Sequence, residues 1–227
     1  MTRIYMPSSG PDAWKQFLAD PEKHWRTGYS AKTLAHCWEA ADGLPPEISN
    51  LFQASAEFTG AAPKLLFATP EHKVPLPGGQ RDSQTDIFCI IRAGDKTVAT
   101  AIEGKVAETF GPTVGEWSAG MSDGKRQRLA FLCELLGMKN PPPADIRYQL
   151  LHRTASAILE AQAFKTDAAA MIVHSFSPEK AWFAEYSAFA RLLGGAAGEG
   201  ELTKIALPTG VPLYLGWAVG AAEFLQR

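Results

Sequence analysis

The stretch that most constrains this chain is Ser83 to Lys105, SQTDIFCIIRAGDKTVATAIEGK. Two apolar runs flank Ala93-Gly94-Asp95, a pattern that predicts two strands joined by a tight turn. Asp86 stands at the start of the first run, and Glu103-Gly104-Lys105 ends the second. Side chains alternate faces along a strand, so Glu103 and Lys105 point the same way. Hairpin pairing brings Asp86 to the open end beside them. Two carboxylates and an ammonium at the edge of a buried sheet make a divalent-metal site with a charged helper.

Around that hairpin the chain reads as alternating helices and strands. Ser30 opens a helix with Leu34, Cys37 and Trp38 on one face, and Pro45-Pro46 start another through about Phe58. Arg3 to Pro7 is expected as a short strand and Pro11 to Ala19 as a helix. Lys64 to Thr69 reads as a strand, followed by PEHKVPLPGGQRDSQ, rich in Pro and Gly, as a surface loop or a bent edge leading into the hairpin. A glycine-rich loop follows Lys105. Helices are then expected from Ser122 to about Met138 and from Asp145 to about Phe164. Ala168 to Ser175 is a continuous apolar run, as in a strand covered on both faces. Trp182 to Leu193 is an amphipathic helix, and Leu202–Leu207 and Pro212–Ala218 close the sheet. The expected fold is therefore α/β, a three-layer sandwich with a central mixed β-sheet flanked by helices.

At 227 residues the chain suits one domain. The reading is a single unit over 1–227, with a helical N-terminal extension over about 1–60 and a core over about 30–220. Charged residues sum to −2, so no global basic field advertises a nucleic-acid partner, and contact with one must come from a local patch. Cys37, Cys89 and Cys133 are odd in number and widely spaced, which suits reduced thiols. No leader pattern opens the chain, and no apolar run reaches the ~20 residues that span a bilayer. A cytoplasmic protein without a membrane partner is expected, and a homodimer is the fair guess for its assembly.

Hard cations such as Mg²⁺ or Mn²⁺ take oxygen ligands from one or two carboxylates and keep several waters. Asp86, Glu103 and the carbonyl of Gly104 are the candidate metal ligands. Lys105 shares their face and could orient or deprotonate an attacking water, or stabilise charge on phosphorus. The purely structural alternatives are a turn-capping aspartate and an exposed strand-end ion pair of little energetic weight.

The Asp86 and Glu103-Gly104-Lys105 hairpin, with helices before it and two helices then a strand after it, resembles the PD-(D/E)XK, restriction-endonuclease-like superfamily. The resemblance covers roughly Ser30 to Ser175. Thr85 stands where that motif often has proline. What the resemblance implies is metal-dependent hydrolysis of a phosphodiester, usually in DNA. Asp86 and Glu103 would be the metal ligands and Lys105 the catalytic lysine. Members often add an acid from the first core helix, here Glu47, Glu39 or Glu57, with Glu47 favoured. They also add polar residues from the helix after the motif.

On that helix Gln149, Arg153, Ser156 and Glu160 form a polar stripe that faces either the site or solvent. Gln149 joins Asp86, Glu103, Lys105 and Glu47 as a candidate catalytic residue. Lys125, Arg126 and Arg128 either contact phosphates or form a solvated first turn. His36, His152 and His174 lack zinc-ligand spacing. Two other readings stay open: a non-catalytic binding or interaction module of the same fold, and a small-molecule hydrolase using the same metal corner.

Overall fold

A computed structural model of the chain describes residues 8–208 and 210–227. The strand expected over Arg3 to Pro7 lies outside these. Among the described residues, six strands form one mixed sheet in the order β1-β2-β3-β4-β6-β5. β1 (Lys64–Val74), β2 (Ser83–Ala93) and β3 (Lys96–Lys105) form an antiparallel meander with the turn at Gly94-Asp95. The chain then crosses over through α4 (Val114–Ser118), α5 (Asp123–Leu135) and α6 (Tyr148–Phe164). It returns as β4 (Ala168–Ser175), parallel to β3, in register from Val98↔Ala168 to Lys105↔Ser175. Parallel neighbours need such a crossover. α7 (Phe183–Leu192), β5 (Leu202–Ile205) and β6 (Leu213–Val219) complete the sheet, β6 lying parallel to β4. Short α1 (Pro21–His24), then α2 (Ser30–Ala40) and α3 (Pro46–Ala54), precede β1.

Strand alternation builds two cores. On one face Phe88, Ala99, Ala101, Met171 and Val173 pack with Leu150, Leu151 and Ile158 of α6. On the other, Ile87, Cys89, Val98, Ile102 and Ile172 pack with Leu34, Trp38, Ile48, Leu51 and Phe52 of α2 and α3. Helices, sheet and helices make three layers, the architecture expected from the sequence.

Several boundaries differ for local reasons. β1 runs on through Pro70 to Val74, so of the surface loop or bent edge expected there the first residues take the edge form. β1 is an edge strand, and there a proline's missing N–H costs no ladder bond. The segment expected as a helix over Pro11 to Ala19 is a 3-10 helix over Pro11–Phe17. Ser122 does cap α5, accepting the Lys125 N–H. The glycine-rich loop holds α4, which starts with a capping box: Thr113 accepts from Glu116 N–H, and the Glu116 side chain from Thr113 N–H.

Candidate metal and phosphate site

Glu103 continues the Ala99–Ala101 row of β3, so its side chain points toward α6 rather than α2. It is 2% exposed and Lys105 is 4% exposed. Lys105 Nζ donates to Glu103 Oε1 at 2.6 Å, and Arg153 Nε of α6 donates to Oε2 at 2.6 Å. Burial is the largest single influence and pushes the Glu103 carboxyl up, but the two cations together outweigh it and hold the group below its usual range. Across the hairpin, Asp86 Oδ2 accepts the backbone N–H of Gly104 at 2.8 Å. Asp86 is therefore tied to the Glu-Gly-Lys segment itself. A Cβ at residue 104 would lie 3.1 Å from Leu34 Cδ2 and 3.4 Å from Asp86 Oδ2, so glycine keeps this approach close.

Asp86, Glu103, Lys105, Gln149 and Arg153 line one cavity of about 330 Å³. The hairpin geometry expected from the sequence is thus present, and the α6 polar stripe turns inward at Gln149 and Arg153. Farther along it, Glu160 meets His72 at 3.3 Å.

The sequence reading missed Glu71, which lines the same cavity. Its neighbours pair as Pro70↔Ile87 and His72↔Thr85, which sets Glu71 opposite Asp86. Like charges directly opposite on a sheet are unfavourable. Burial, and then the other carboxylates, push Glu71 up to about 8 and Asp86 up to about 7. Gln84 Nε2 donates to Glu71 Oε2 at 2.5 Å. Glu71 has φ of 51°, an uncommon backbone state for a non-glycine residue. The signal available in the sequence was the period of two from Thr69 through Glu71 to Lys73, hidden by Pro70.

Glu47 lies elsewhere. His174 of β4 points to the α2/α3 side of the sheet, and its Nε2 meets Glu47 Oε1 at 2.7 Å. The other helix acids are also engaged away from the cavity. Glu39 accepts from Trp14 Nε1 at 2.7 Å, and Glu57 from Lys204 Nζ at 2.9 Å and the Tyr214 hydroxyl at 3.1 Å. None of the three lines the cavity. The helix-acid expectation gives way to an acid from β1.

Among the described residues, one set of three ligand-type side chains brings its donor atoms within 4.8 Å of one another: Cys37, Glu47 and His174. Glu71, Asp86 and Glu103 do not reach that mutual spacing. Hydrogen bonding argues against a metal at the first set. Trp38 Nε1 donates to His174 Nδ1 at 3.3 Å, so the ring proton sits on Nε2 and donates to Glu47. Burial also drives the Cys37 thiol far up, away from thiolate.

The donor set at the cavity suits a hard divalent cation better. It is all oxygen, it includes two carboxylates whose charge is costly to bury, and two carboxylates plus waters suffice for Mg²⁺ or Mn²⁺. Gln149 Oε1 is buried and finds no donor among the described residues, an acceptor suited to a cation or its water. For Gly104 the structure shows the N–H engaged with Asp86.

The basic cluster of α5 divides. Arg128 is buried and donates to the carbonyls of Leu76, Pro77 and Arg81 at 2.7–3.0 Å, clamping the loop between β1 and β2. Arg126 pairs with Asp123 on the surface.

Fold and site together define a mixed-sheet α/β protein with a buried carboxylate–lysine–arginine cavity at the end of its central hairpin. The chain belongs to the family described as a domain of unknown function (DUF6946), which matches residues 7–222. No curated protein and no solved structure matches it. No helix among the described residues is long and apolar enough to cross a membrane.

Proposed function

We propose that the protein is a Mg²⁺- or Mn²⁺-dependent phosphodiester hydrolase, a DNA nuclease of restriction-endonuclease-like fold. The observation that carries this reading is the convergence of Asp86, Glu103 and Lys105 on one cavity, with Gly104 N–H fastening Asp86 to the motif. The antiparallel meander followed by a helical crossover to a parallel strand supports the same reading. Asp86 and Glu103 would hold the cation, with Gln149 and Glu71 beside them. Bound there, such a cation would supply charge neutralisation at the phosphoryl oxygens and a more acidic water. Lys105 holds the attacking water in line or stabilises the charge developing on phosphorus. Arg153 keeps Glu103 ionised and oriented, and offers its remaining donors to the phosphate.

The test is incubation of the purified protein with plasmid and linear DNA in Mn²⁺. Metal-dependent cleavage is expected, reduced by at least 10²-fold in Glu103→Ala. Cleavage that survives this substitution removes these residues from the mechanism.

A second reading is a non-catalytic binding module of the same fold. It is favoured by the engagement of both Glu103 oxygens with protein cations. Under that reading Mn²⁺ leaves the melting temperature unchanged.

A further inference from the structure

The cavity described above has a neighbour. A second hollow, about 270 Å³, is lined by Trp117, Tyr148, Arg81 and Arg128, with Ser83 and His152 at its inner end. The two hollows share a wall. Ser83 Oγ bonds His152 Nδ1 at 2.8 Å and lies 3.4 Å from Arg153 Nη1, and Arg153 lines the first cavity.

Trp117 of α4 stacks on Tyr148 of α6, ring centroids 4.0 Å apart and planes 11° from parallel. The half-buried Lys125 places Nζ 5.6 Å over the Trp117 ring. The stack is held firmly. Thr113 pairs with Arg147, Gly115 N–H donates to Ala144 O at 2.8 Å, and Tyr148 N–H to Pro112 O at 3.1 Å. Tyr148, 8% exposed, backs one face of Trp117, so a base would stack on the Trp117 ring by moving the Lys125 side chain aside; such stacking accepts any base, since every base offers a π-face.

The first cavity restricts what can reach Glu103 and Lys105. Leu18, Ala19 and His24 of the N-terminal segment and Ser30 of α2 form its outer wall. Glu108 ties that wall down, accepting Ser30 N–H at 2.7 Å and Val106 N–H at 3.1 Å. Its volume is that of a small-ligand pocket, ~300–1,000 Å³. A base-paired strand brings its complement with it, and among the described residues the cavity lining sets four acids (Glu71, Asp86, Glu103 and Glu108) against Lys105 and Arg153, a poor seat for the two phosphate backbones of a duplex.

We infer that the substrate is an unpaired strand. One phosphodiester enters the Asp86–Glu103–Lys105 cavity, and a neighbouring base packs against the Trp117–Tyr148 pair. This rests on the nuclease reading for the role of the first cavity, but binding to the second can be measured without hydrolysis.

The experiment measures fluorescence anisotropy of a fluorescein-labelled oligothymidylate and of a blunt duplex of equal length, with the full chain and Ca²⁺. The single strand is expected to bind at least tenfold tighter than the duplex. Trp117→Ala should weaken it by about 5- to 150-fold, the range for loss of one stacked base. Trp117→Phe should restore most of the affinity. Lys125→Ala, which removes the ammonium over the Trp117 ring and its bond to the Ala119 carbonyl, should weaken binding and lower its salt dependence.

Duplex binding equal to or tighter than single-strand binding overturns the inference. So does a Trp117→Ala affinity within twofold of the parent. Glu103-dependent cleavage with duplex preferred sinks the inference and leaves the nuclease reading intact. Single-strand binding through Trp117 without any hydrolysis does the reverse.

Discussion

Arg153 donates to one oxygen of Glu103 at 2.6 Å while Lys105 donates to the other at the same distance. A buried carboxylate is stable only when paired and hydrogen-bonded. Here the partners come from a different helix and from the same strand two residues on. The pairing therefore records the docking of α6 onto β3.

Removing Arg153 should be costly. Arg153→Leu leaves Glu103 with one cation in a site 2% exposed. A destabilisation of about 3–5 kcal/mol is expected, the usual cost of breaking a buried ion pair. Urea denaturation would measure it, and a loss below 1 kcal/mol would show that the pair is not desolvated as described.

Stability in chelator should fall as pH rises from about 4 to 8. Asp86 and Glu71 are raised in the folded protein to about 7 and about 8. An acid raised on folding stabilises fully below its unfolded value and loses that contribution as pH climbs through its folded value. Glu103, held low, works in the opposite sense and loses its contribution only as pH drops below about 4.5. Melting curves between pH 5 and 8.5 should show the decline, flattened in Glu71→Gln. A parent curve that rises across this window contradicts the assignment.

Mn²⁺ should reverse that decline. At ~100 times its dissociation constant a cation adds about 2.7 kcal/mol, or roughly 5–10 °C for a chain of this size. The gain should grow from pH 6 to 8, because the ligands must lose their protons first. Asp86→Asn should abolish it. An undiminished shift in that variant places the metal elsewhere.

Glu47→Gln separates the two faces of the sheet. It disturbs the Trp38–His174–Glu47 chain under α2 and α3. It should cost about 1–3 kcal/mol in thermal or urea unfolding. The Mn²⁺ shift should stay as in the parent. If the shift vanishes, His174 and Glu47 belong to the metal site after all.

The hairpin was legible because its information is local: a turn between apolar runs, and a charged triplet where a buried strand is still apolar. The same holds for β4, whose boundaries follow from an unbroken apolar run. What escaped depended on partners distant in sequence. Glu71 enters the cavity only because Pro70 sits on an edge strand and the strand continues past it. Glu47 had the position of a helix acid, but α3 packs on the far face of the sheet. No periodicity within α3 says which face that is. The α6 stripe could be drawn from spacing, yet only the docking of α6 against β3 shows that Gln149 and Arg153 line the cavity while Glu160 turns to His72 of β1.

Pro70 has one more effect. The sheet ends on one side at β1, which carries Pro70 and the exposed Lys73, and on the other at β5, four residues long. Among the described residues β5 offers a ladder only four residues long, and the eleven-residue β1 is interrupted at Pro70 and carries the exposed Lys73, features that discourage pairing with a strand of another molecule. Strand exchange between molecules is thereby discouraged at both described borders.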